Sequence, residues 1–270
     1  MAKTKSAKKI AIITGASAGL GKEFALQIEQ EYLLDEIWLL ARRTEPMREV
    51  CEQFTKSKGV VLSMDLTSEG DMLAFQKKLS DEAPEIMVLV NNAGYGKIGP
   101  FQQLGLKEQL AMIDLNIRAL TELTYVSLPY IKSGSLIIQV ASSLAYCPAP
   151  YMAVYGATKS YVLSFSEALN FEFKDKGIHV IAVCPGPVET EFFAVAQKNE
   201  FTKDKAPSTK PPFAKSLVAH PKDVVEQALK DARKKKPVSI FGFSIKLFAS
   251  SMRFMPKALA MNAMASKRGN

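Results

Sequence analysis

Residues 9–21 read KIAIITGASAGLG, a short apolar run followed by three glycines spaced G-x-x-x-G-x-G. The run Lys9–Ile13 predicts a buried parallel strand, and the segment Lys22–Ile28 after the glycines predicts an amphipathic helix. Glycines in such a turn let the backbone approach a pyrophosphate, to which the helix N-terminus offers free N–H groups. An ordinary glycine-rich turn is the alternative, but the strand and the helix on either side favour a dinucleotide-binding unit.

The rest of the chain alternates in the same way between apolar runs and amphipathic segments. This alternation predicts an α/β fold, a single Rossmann-type domain with a seven-stranded parallel sheet and helices on both faces. We expect this domain at residues 1–244, followed by a basic C-terminal extension at 245–270. The predicted strands lie near 9–14, 36–41, 59–64, 86–91, 135–141, 178–184 and 238–241, and the predicted helices near 20–32, 45–57, 69–82, 105–130, 153–175 and 221–235.

A tyrosine and a lysine four residues apart, Tyr155 and Lys159, lie in one predicted helix. That spacing puts the phenol and the ammonium on one helix face. A lysine there can lower the tyrosine pKa from about 10 toward neutrality, which would make Tyr155 a general acid/base near cellular pH. The alternative is a tyrosine packed beneath a solvated lysine. Ser142, thirteen residues upstream of Tyr155, and the glycine turn favour the catalytic interpretation.

Several motifs in this order resemble those of the short-chain dehydrogenase/reductase family. They are the glycine turn, Asn91-Asn92-Ala93-Gly94, Asn116, Ser142, Tyr155 with Lys159, and Pro185-Gly186-Pro187-Val188-Glu189-Thr190. The resemblance covers about residues 8–242, which is most of the chain. It implies an oxidoreductase that moves a hydride between a nicotinamide cofactor and a small-molecule alcohol or carbonyl substrate.

The resemblance also implies a role for each catalytic residue. Tyr155 would exchange the proton of the substrate oxygen, and Lys159 would bind the nicotinamide ribose and lower the pKa of Tyr155. Ser142 would hydrogen-bond the substrate oxygen, with Ser143 as the second choice because its spacing to Tyr155 is twelve residues. Asn116 would hold a water for proton relay through Lys159.

The resemblance further implies a set of cofactor contacts. Asp65 would receive the adenine amino group and Thr190 the nicotinamide carboxamide, although either side chain could instead cap a helix. The full set is Gly15, Ser17, Gly19, Leu20, Gly21, Arg42, Arg43, Asp65, Leu66, Asn91, Ala93, Tyr155, Lys159, Pro185, Gly186, Val188 and Thr190.

The end of the second predicted strand bears on the choice of cofactor. An acidic residue there would hold the ribose 2′-hydroxyl of NAD, whereas this strand ends Ala41-Arg42-Arg43. Arginine can grip a 2′-phosphate through paired, charged hydrogen bonds, so NADP(H) is the expected cofactor. A solvated surface pair is the alternative. Many NADP-using relatives also carry a basic residue at the position of Ala18, so Arg42 would discriminate mostly alone, helped by Arg43 or Ser17.

Composition narrows the compartment and the chemistry. The three cysteines lack metal spacing and suit a reducing cytosol, and the two histidines also lack metal-ligand spacing, so we predict no metal site. No apolar run reaches the length of a membrane span, and the N-terminus lacks the features of a signal peptide. The expected location is cytoplasmic.

The C-terminal part of the chain is strongly basic. Residues 230–270 contain ten Lys/Arg and one acid, Asp231, a net charge of +9 that leaves −1 for the remainder of the +8 chain. A basic amphipathic helix in the extension could lie on an anionic membrane surface. We favour the alternative, a helix that packs on a subunit or on the substrate pocket. Nucleic-acid binding is not expected, because no aromatic platform accompanies the charge.

The substrate is the least constrained element. Residues 144–152, Tyr95, Phe192 and Phe193 should border an apolar pocket that suits a bulky alcohol or ketone, such as a hydroxysteroid or bile acid. Other carbonyl compounds (3-ketoacyl, aryl or short-chain) and a non-catalytic NADPH sensor stay open as alternatives. Residues 189–220 would form a lid, or a variable surface loop. The resemblance implies a homodimer or homotetramer.

Overall fold

The strands run parallel in one sheet, and their spatial order differs from their order along the chain. The computed structural model describes residues 7–197, 217–256, 258, 259 and 261. Within them the strands are β1 (Lys9–Thr14), β2 (Glu36–Ala41), β3 (Lys58–Ser63), β4 (Glu85–Asn91), β5 (Ile131–Val140), β6 (His179–Val183) and β7 (Val238–Ser239). They form a seven-stranded sheet in the order β3-β2-β1-β4-β5-β6-β7 with every pairing parallel. The order reverses between β1 and β4, and such a reversal opens a crevice at the carboxyl ends of the strands.

Helices cover both faces of this sheet. They are α1 (Gly19–Glu31), α2 (Thr44–Cys51), α3 (Glu69–Glu82), α4 (Leu106–Ile113), α5 (Leu120–Ser127), α6 (Ala153–Glu172), α7 (Phe192–Gln197), α8 (Pro221–Arg233) and α9 (Phe243–Phe254). A π-helical turn, Asp114–Ala119, joins α4 to α5, and short 3-10 turns lie at Phe101–Gln103, Leu128–Tyr130, Ser143–Tyr146 and Lys174–Lys176. The apolar faces of α1, α2 and α8 pack on one side of the sheet, and those of α3, α5 and the end of α6 pack on the other.

The central strands are buried on both sides, as their unbroken apolar runs predict. Ile10, Ile12 and Ile13 of β1 are fully buried, and so is Trp38 of β2. The Trp38 ring meets Phe75 of α3 edge-on, with centroids 6.3 Å apart. The predicted fold class, one Rossmann-type domain with seven parallel strands, is confirmed.

One predicted helix is shorter than expected. The helix predicted near 45–57 ends at Cys51. Beyond it, the backbone N–H groups of Thr55 and Lys56 donate to a carboxylate oxygen of Glu29 at 2.8 and 2.5 Å, which holds the chain out of the helix. Burial alone would raise the pKa of the Glu29 carboxyl, but these N–H donors outweigh it and the pKa is lowered. Glu29 therefore anchors the turn into β3 as a buried carboxylate.

The C-terminal extension begins with a helix that belongs to the packed structure. The boundary predicted at 244/245 falls inside α9. Ala249 is almost completely buried, and the Ile245 side chain occupies the space beside Gly186. Part of the extension therefore packs on the domain, whereas packing on a subunit or on the substrate pocket stays a prediction. The other predicted residues of the lid and the extension, 198–216, 257, 260 and 262–270, lie outside the described part of the chain.

Candidate active site

The glycine turn lies at the reversal between β1 and β4. Gly15 and Gly19 have φ angles of +64° and +54°, a left-handed conformation that favours glycine. A Cβ at Gly21 would lie 2.2 Å from Gly15 O, so the first turn of α1 can approach the loop only without a side chain. Together these positions form a cradle of bare backbone at the N-terminus of α1, which fits a pyrophosphate group.

Two residues outside the predicted set of site residues, Thr14 and Asn92, hold this cradle in place. The Thr14 hydroxyl accepts hydrogen bonds from the backbone N–H of Asn92 and of Ala93, both at 2.9 Å. The Asn92 amide donates to Thr14 O and Gly15 O at 3.0 and 3.3 Å. The end of β4 is thus tied to the turn after β1. In the sequence, Thr14 and Asn92 are marked only by their positions in the quoted motifs.

Asn91 lies differently from its neighbours. Its side chain is buried and donates to the Thr124 hydroxyl of α5 at 2.8 Å. The Asn91 amide nitrogen is therefore engaged inside the fold, and a cofactor contact of this residue stays a prediction. Leu66 is likewise packed in the apolar core, whereas Leu20 lies in the first turn of α1.

The four predicted catalytic residues converge at the carboxyl end of β5. Ser142 follows β5, Tyr155 and Lys159 lie on one face of α6, and Asn116 lies in the π-helical turn. All four side chains are buried. The Ser142 hydroxyl lies close enough to the Tyr155 phenol to lower its pKa. Ser143 is also buried, but its backbone N–H donates to Pro185 O at 2.8 Å, which ties the turn to the loop after β6.

Lys159 points toward the sheet and not at the phenol. Its Nζ donates to Val140 O at 2.7 Å and lies 5.9 Å from the centroid of the Tyr155 ring. A Cβ at Gly94 would lie 2.8 Å from Asn116 Oδ1 and 3.4 Å from Lys159 Nζ. Gly94 therefore leaves free the space where the lysine and the asparagine approach each other.

Burial dominates the protonation of the tyrosine and the lysine. It raises the pKa of Tyr155 to about 12, and the neighbouring Ser142 hydroxyl opposes this rise only in part. It also lowers the pKa of Lys159 to about 8. The expected lowering of the Tyr155 pKa by Lys159 is therefore wrong for this structure, because desolvation of the phenol outweighs an ammonium that is directed at Val140 O.

Asn116 holds the loop beside the tyrosine. Its amide donates to Tyr95 O at 2.9 Å and to the Thr158 hydroxyl at 3.0 Å, and its Oδ1 accepts from Tyr95 N at 3.1 Å. The Thr158 hydroxyl in turn donates to Tyr155 O at 2.8 Å. Both N–H donors of the asparagine amide are therefore engaged. Thr158, which the sequence analysis did not single out, links this amide to the backbone of Tyr155.

The two arginines after β2 have different surroundings. Arg43 donates to the Ser17 hydroxyl at 3.2 Å and forms an ion pair with Glu191 at 2.8 Å. Arg42 is near enough to Asp65 to contribute to lowering the pKa of that carboxyl, after the larger effect of hydrogen bonds from Thr67. The guanidinium groups thus flank the region beyond the carboxyl end of β2, one beside the glycine turn and one beside Asp65.

Asp65 and Thr190, the two residues with a possible capping role, differ in their contacts. Ser68, and not Asp65, caps α3, since its hydroxyl accepts from Asp71 N. Asp65 Oδ1 instead accepts from the Thr67 backbone N–H and hydroxyl at 2.9 and 2.7 Å. Thr190 Oγ1 accepts from Phe192 N at 3.3 Å at the start of α7. A Cβ at Gly19 would lie 2.9 Å from Thr190 Cγ2, so this loop lies against the glycine turn.

Apolar side chains surround the phenol of Tyr155. The rings of Tyr155 and Phe192 have centroids 5.3 Å apart, and Phe192 meets Phe193 edge-on. A Cβ at Gly96 would lie 2.8 Å from the Tyr155 ring and 2.9 Å from that of Phe192. Helix α7, at the start of the predicted lid, therefore covers one side of the tyrosine. The surrounding apolar cluster comprises Met112, Ala149, Met152, Tyr95, Ile98, Leu144 and Val154.

The loop after β6 completes the predicted cofactor side. Val188 is buried and pairs with Ala219 in an isolated parallel bridge, and Gly186 lies beneath Ile245 of α9. In the described ranges, no three His, Cys, Asp or Glu side chains are grouped to hold a metal ion. Among these same residues, no helix has the length and apolar character needed to cross a bilayer.

The sheet order, the glycine cradle and the buried Ser142–Tyr155–Lys159 group together define a Rossmann-type oxidoreductase domain. The short chain dehydrogenase family profile matches residues 9–200, well over half of the chain. The protein therefore belongs to the short-chain dehydrogenase/reductase family, as the motifs predicted.

Individual relatives agree with this assignment. The chain is 31% identical over 192 residues to an uncharacterized oxidoreductase of Staphylococcus epidermidis, covering 70% of this chain and 81% of that protein. It is 30% identical over 200 residues to 17-beta-hydroxysteroid dehydrogenase type 3 of Rattus norvegicus, covering 72% of this chain and 64% of that protein.

Solved structures share the fold over nearly the whole chain. A short-chain dehydrogenase from Sphingobium yanoikuyae in complex with NADPH superposes with a TM-score of 0.75 at 26% identity, covering 97% of each chain. The bulky-bulky ketone specific alcohol dehydrogenase from Comamonas testosteroni superposes with a TM-score of 0.70 at 26% identity, covering 92% of this chain and 95% of that chain.

Proposed function

We propose that this protein is an NADP(H)-dependent oxidoreductase that interconverts a secondary alcohol and a ketone. The buried Tyr155 phenol, with the Ser142 hydroxyl beside it and Lys159 one helical turn away, is the observation that carries the proposal. A buried phenol with a protein hydroxyl beside it can exchange a proton with a substrate oxygen that binds next to both groups. Family membership supports the reaction class, since the chain is a short-chain dehydrogenase.

The residues of the cleft fit NADP(H). The bare backbone at Gly15, Gly19 and Gly21 leaves room for the pyrophosphate, and Arg42, Arg43 and Ser17 offer charge and donors to a 2′-phosphate. No carboxylate stands at Ala41 to repel that phosphate. The related Sphingobium enzyme is in complex with NADPH, which supports the same choice. When bound, the cofactor supplies or accepts the hydride.

The protein side chains then manage the proton. Tyr155 donates its proton to the developing alkoxide during reduction and takes the hydroxyl proton during oxidation. Ser142 hydrogen-bonds the same substrate oxygen and helps to polarise it. Lys159 holds the nicotinamide ribose, and Asn116 keeps a relay water beside it. Both amide N–H donors of Asn116 are engaged by Tyr95 and Thr158, so this water would donate a hydrogen bond to a carbonyl oxygen of Asn116.

The wall around Tyr155 favours a bulky apolar substrate, such as a hydroxysteroid or bile acid. Tyr95, Met152 and Phe192 present apolar surface beside the phenol. The rat relative is a hydroxysteroid dehydrogenase and the Comamonas enzyme is specific for bulky-bulky ketones, which supports this substrate class. Other carbonyl compounds (3-ketoacyl, aryl or short-chain) are the alternative substrates. The segment 189–220 would act as a lid, of which α7 is the described part.

We expect the enzyme to be a cytoplasmic homodimer or homotetramer. The outer surfaces of α4, α5 and α6 carry exposed apolar side chains, among them Leu106, Leu110, Tyr125 and Tyr161. Exposed apolar surface of this kind is typical of subunit interfaces.

The test of the proposed function is NADPH oxidation against a panel of steroids, bile-acid ketones, aryl ketones, 3-ketoacyl thioesters and short aldehydes. We expect NADPH to be consumed with at least one bulky ketone, as measured by the absorbance of reduced nicotinamide. Rates with NADH should be much slower. Tight NADPH binding without turnover of any compound would contradict the enzymatic proposal and favour an NADPH-sensing protein. Equal rates with NADH would contradict the cofactor assignment.

The Arg43–Glu191 ion pair leads to a second expectation. Since Arg43 is already bound by Glu191, a 2′-phosphate must compete with that carboxylate for the guanidinium. Both side chains are more than half exposed, so the pair contributes only about 0.2–1 kcal/mol. Glu191→Gln should therefore tighten binding of 2′,5′-ADP by about 1.4- to 5-fold, measured by calorimetry, and leave binding of 5′-ADP unchanged.

A matched control is Asp81→Asn, which breaks the exposed Lys77–Asp81 pair on α3. It should change neither affinity. Weaker binding of both nucleotides by Glu191→Gln would mean that the ion pair closes over the cofactor instead of competing with it, contrary to this prediction.

A further inference from the structure

Helix α9 has one apolar face that packs on the domain. Ala249 is 1% exposed, and a Cβ at Gly186 would lie 2.6 Å from Ile245 Cδ1. The helix also contacts the turn Ser143–Tyr146 beside the catalytic serine. Packing on the domain therefore accounts only for this inner face.

A second set of apolar side chains on α9 faces solvent. Phe243 is 81% exposed, Leu247 60% and Phe254 87%. The spacings of four and seven residues bring the three side chains to nearly the same side of a helix with 3.6 residues per turn. We call these three residues the α9 stripe. Three large exposed apolar side chains aligned on one helix mark a surface that contacts something apolar.

The charge around the α9 stripe identifies what it contacts. Lys246 is exposed beside Leu247, and residues 230–270 carry ten Lys/Arg against the single acid Asp231. Asp231 is buried and forms an ion pair with Lys236 at 2.7 Å, so it offsets that one lysine and leaves the segment an excess of nine basic residues. A second copy of the chain would bring the same positive segment to the contact. An anionic phospholipid surface instead supplies both the apolar layer and the opposite charge.

We infer that the α9 stripe docks the protein on the surface of a bilayer that contains anionic phospholipids. The aromatic and leucine side chains enter the interface, while Lys246 meets the headgroups. Because the inner face of α9 packs on Gly186 and the turn after Ser142, docking holds the cleft close to the bilayer. Apolar alcohols and ketones concentrate there. The docking itself does not depend on the proposed reaction.

The test is co-sedimentation of the full-length chain with phosphatidylcholine vesicles, with and without phosphatidylserine. We expect binding to the vesicles that contain phosphatidylserine, and that binding should weaken as salt is added. The double variant Phe243→Ser/Phe254→Ser should lower the partition coefficient by about tenfold or more. The variant should keep the fold, because both side chains are exposed. Binding of NADPH by the variant with the affinity of the wild type would check this.

The matched controls are Phe171→Ser and Leu33→Ser, which remove side chains that are 82% and 91% exposed on other surfaces. Both should bind vesicles like the wild type. Equal loss in the controls, or equal binding to vesicles without phosphatidylserine, would overturn the inference. The inference would also be overturned if the protein does not bind vesicles and its mass in sedimentation equilibrium falls only in the Phe243→Ser/Phe254→Ser variant. That result would favour an interface between copies of the chain.

Discussion

Tyr155→Phe is expected to lower kcat by about 10²- to 10⁴-fold while NADPH binds with nearly wild-type affinity. The substitution removes the phenolic O–H, which is the proposed proton donor, and leaves the ring that packs against Phe192 at a centroid distance of 5.3 Å. The loss should therefore appear in the chemical step and not in the fold. Steady-state reduction of the best ketone from the panel, together with NADPH titration by fluorescence, measures both quantities.

Tyr161→Phe is the matched control for this variant. Tyr161 lies on the same helix, and its hydroxyl is 2.9 Å from that of Thr121. The same O–H is removed there, but outside the catalytic group, so kcat should stay within about twofold, which corresponds to less than about 0.5 kcal/mol. A comparable fall in kcat in both variants would mean that Tyr155 acts through packing.

The pH dependence gives a further check on Tyr155. Burial raises the pKa of this phenol to about 12, so it carries its proton throughout the neutral range. Oxidation of an alcohol needs the deprotonated form, and the phenolate fraction rises with pH below the pKa. The oxidative rate of the wild type should therefore increase from neutral to alkaline pH, and Tyr155→Phe should remove this increase. An oxidative rate that does not change with pH would contradict the assignment of Tyr155 as the base.

Gly21→Ala is expected to weaken NADPH binding by about 10²-fold. The added methyl group displaces the backbone of the cradle and removes no side-chain contact. A Cβ there would lie 2.2 Å from Gly15 O and 2.6 Å from Asn92 Nδ2. One of these atoms is backbone, and the other belongs to the amide that ties the glycine turn to β4. Overpacking of this kind should also lower the free energy of unfolding by about 1–3 kcal/mol.

Gly70→Ala separates this effect from a general effect of glycine replacement. Gly70 lies in the first turn of α3, where the nearest atom to an added Cβ is Ser68 Oγ at 3.9 Å. Alanine should therefore be accommodated and should raise the free energy of unfolding by up to about 1 kcal/mol, with NADPH affinity unchanged. Chemical denaturation and NADPH titration of both variants measure this contrast. NADPH affinity of Gly21→Ala equal to that of the wild type would show that the cradle does not bind the pyrophosphate.

Several site positions could be predicted from the sequence because they depend on local spacing. Tyr155 and Lys159 share a face of α6 because they are four residues apart on a helix. The glycine turn leads from β1 into α1 because a buried apolar run and an amphipathic segment flank it. Asn91 shows the limit of such reasoning. It belongs to the right motif, yet the alternation of side chains along β4 directs its amide to Thr124 of α5.

The roles that no pattern predicted involve partners that are distant along the chain. Glu191 meets Arg43 across a separation of 148 residues, and no spacing rule connects a loop after β6 with the end of β2. The link from Asn116 through Thr158 to Tyr155 likewise requires the π-helical turn to lie against α6. These contacts exist because the parallel sheet brings the carboxyl ends of its strands to one edge.

The amino-acid sequence by itself determined the fold class, the family and the residue types in the cleft. All three follow from the periodicity of apolar residues and the order of short motifs. Only the tertiary structure decided the direction of the Tyr155 pKa shift, the engagement of Arg43 by Glu191, and which side of α9 stays exposed. The physical reason is that desolvation and ion pairing depend on the atoms that surround a group in space, and these come from segments far apart in the chain.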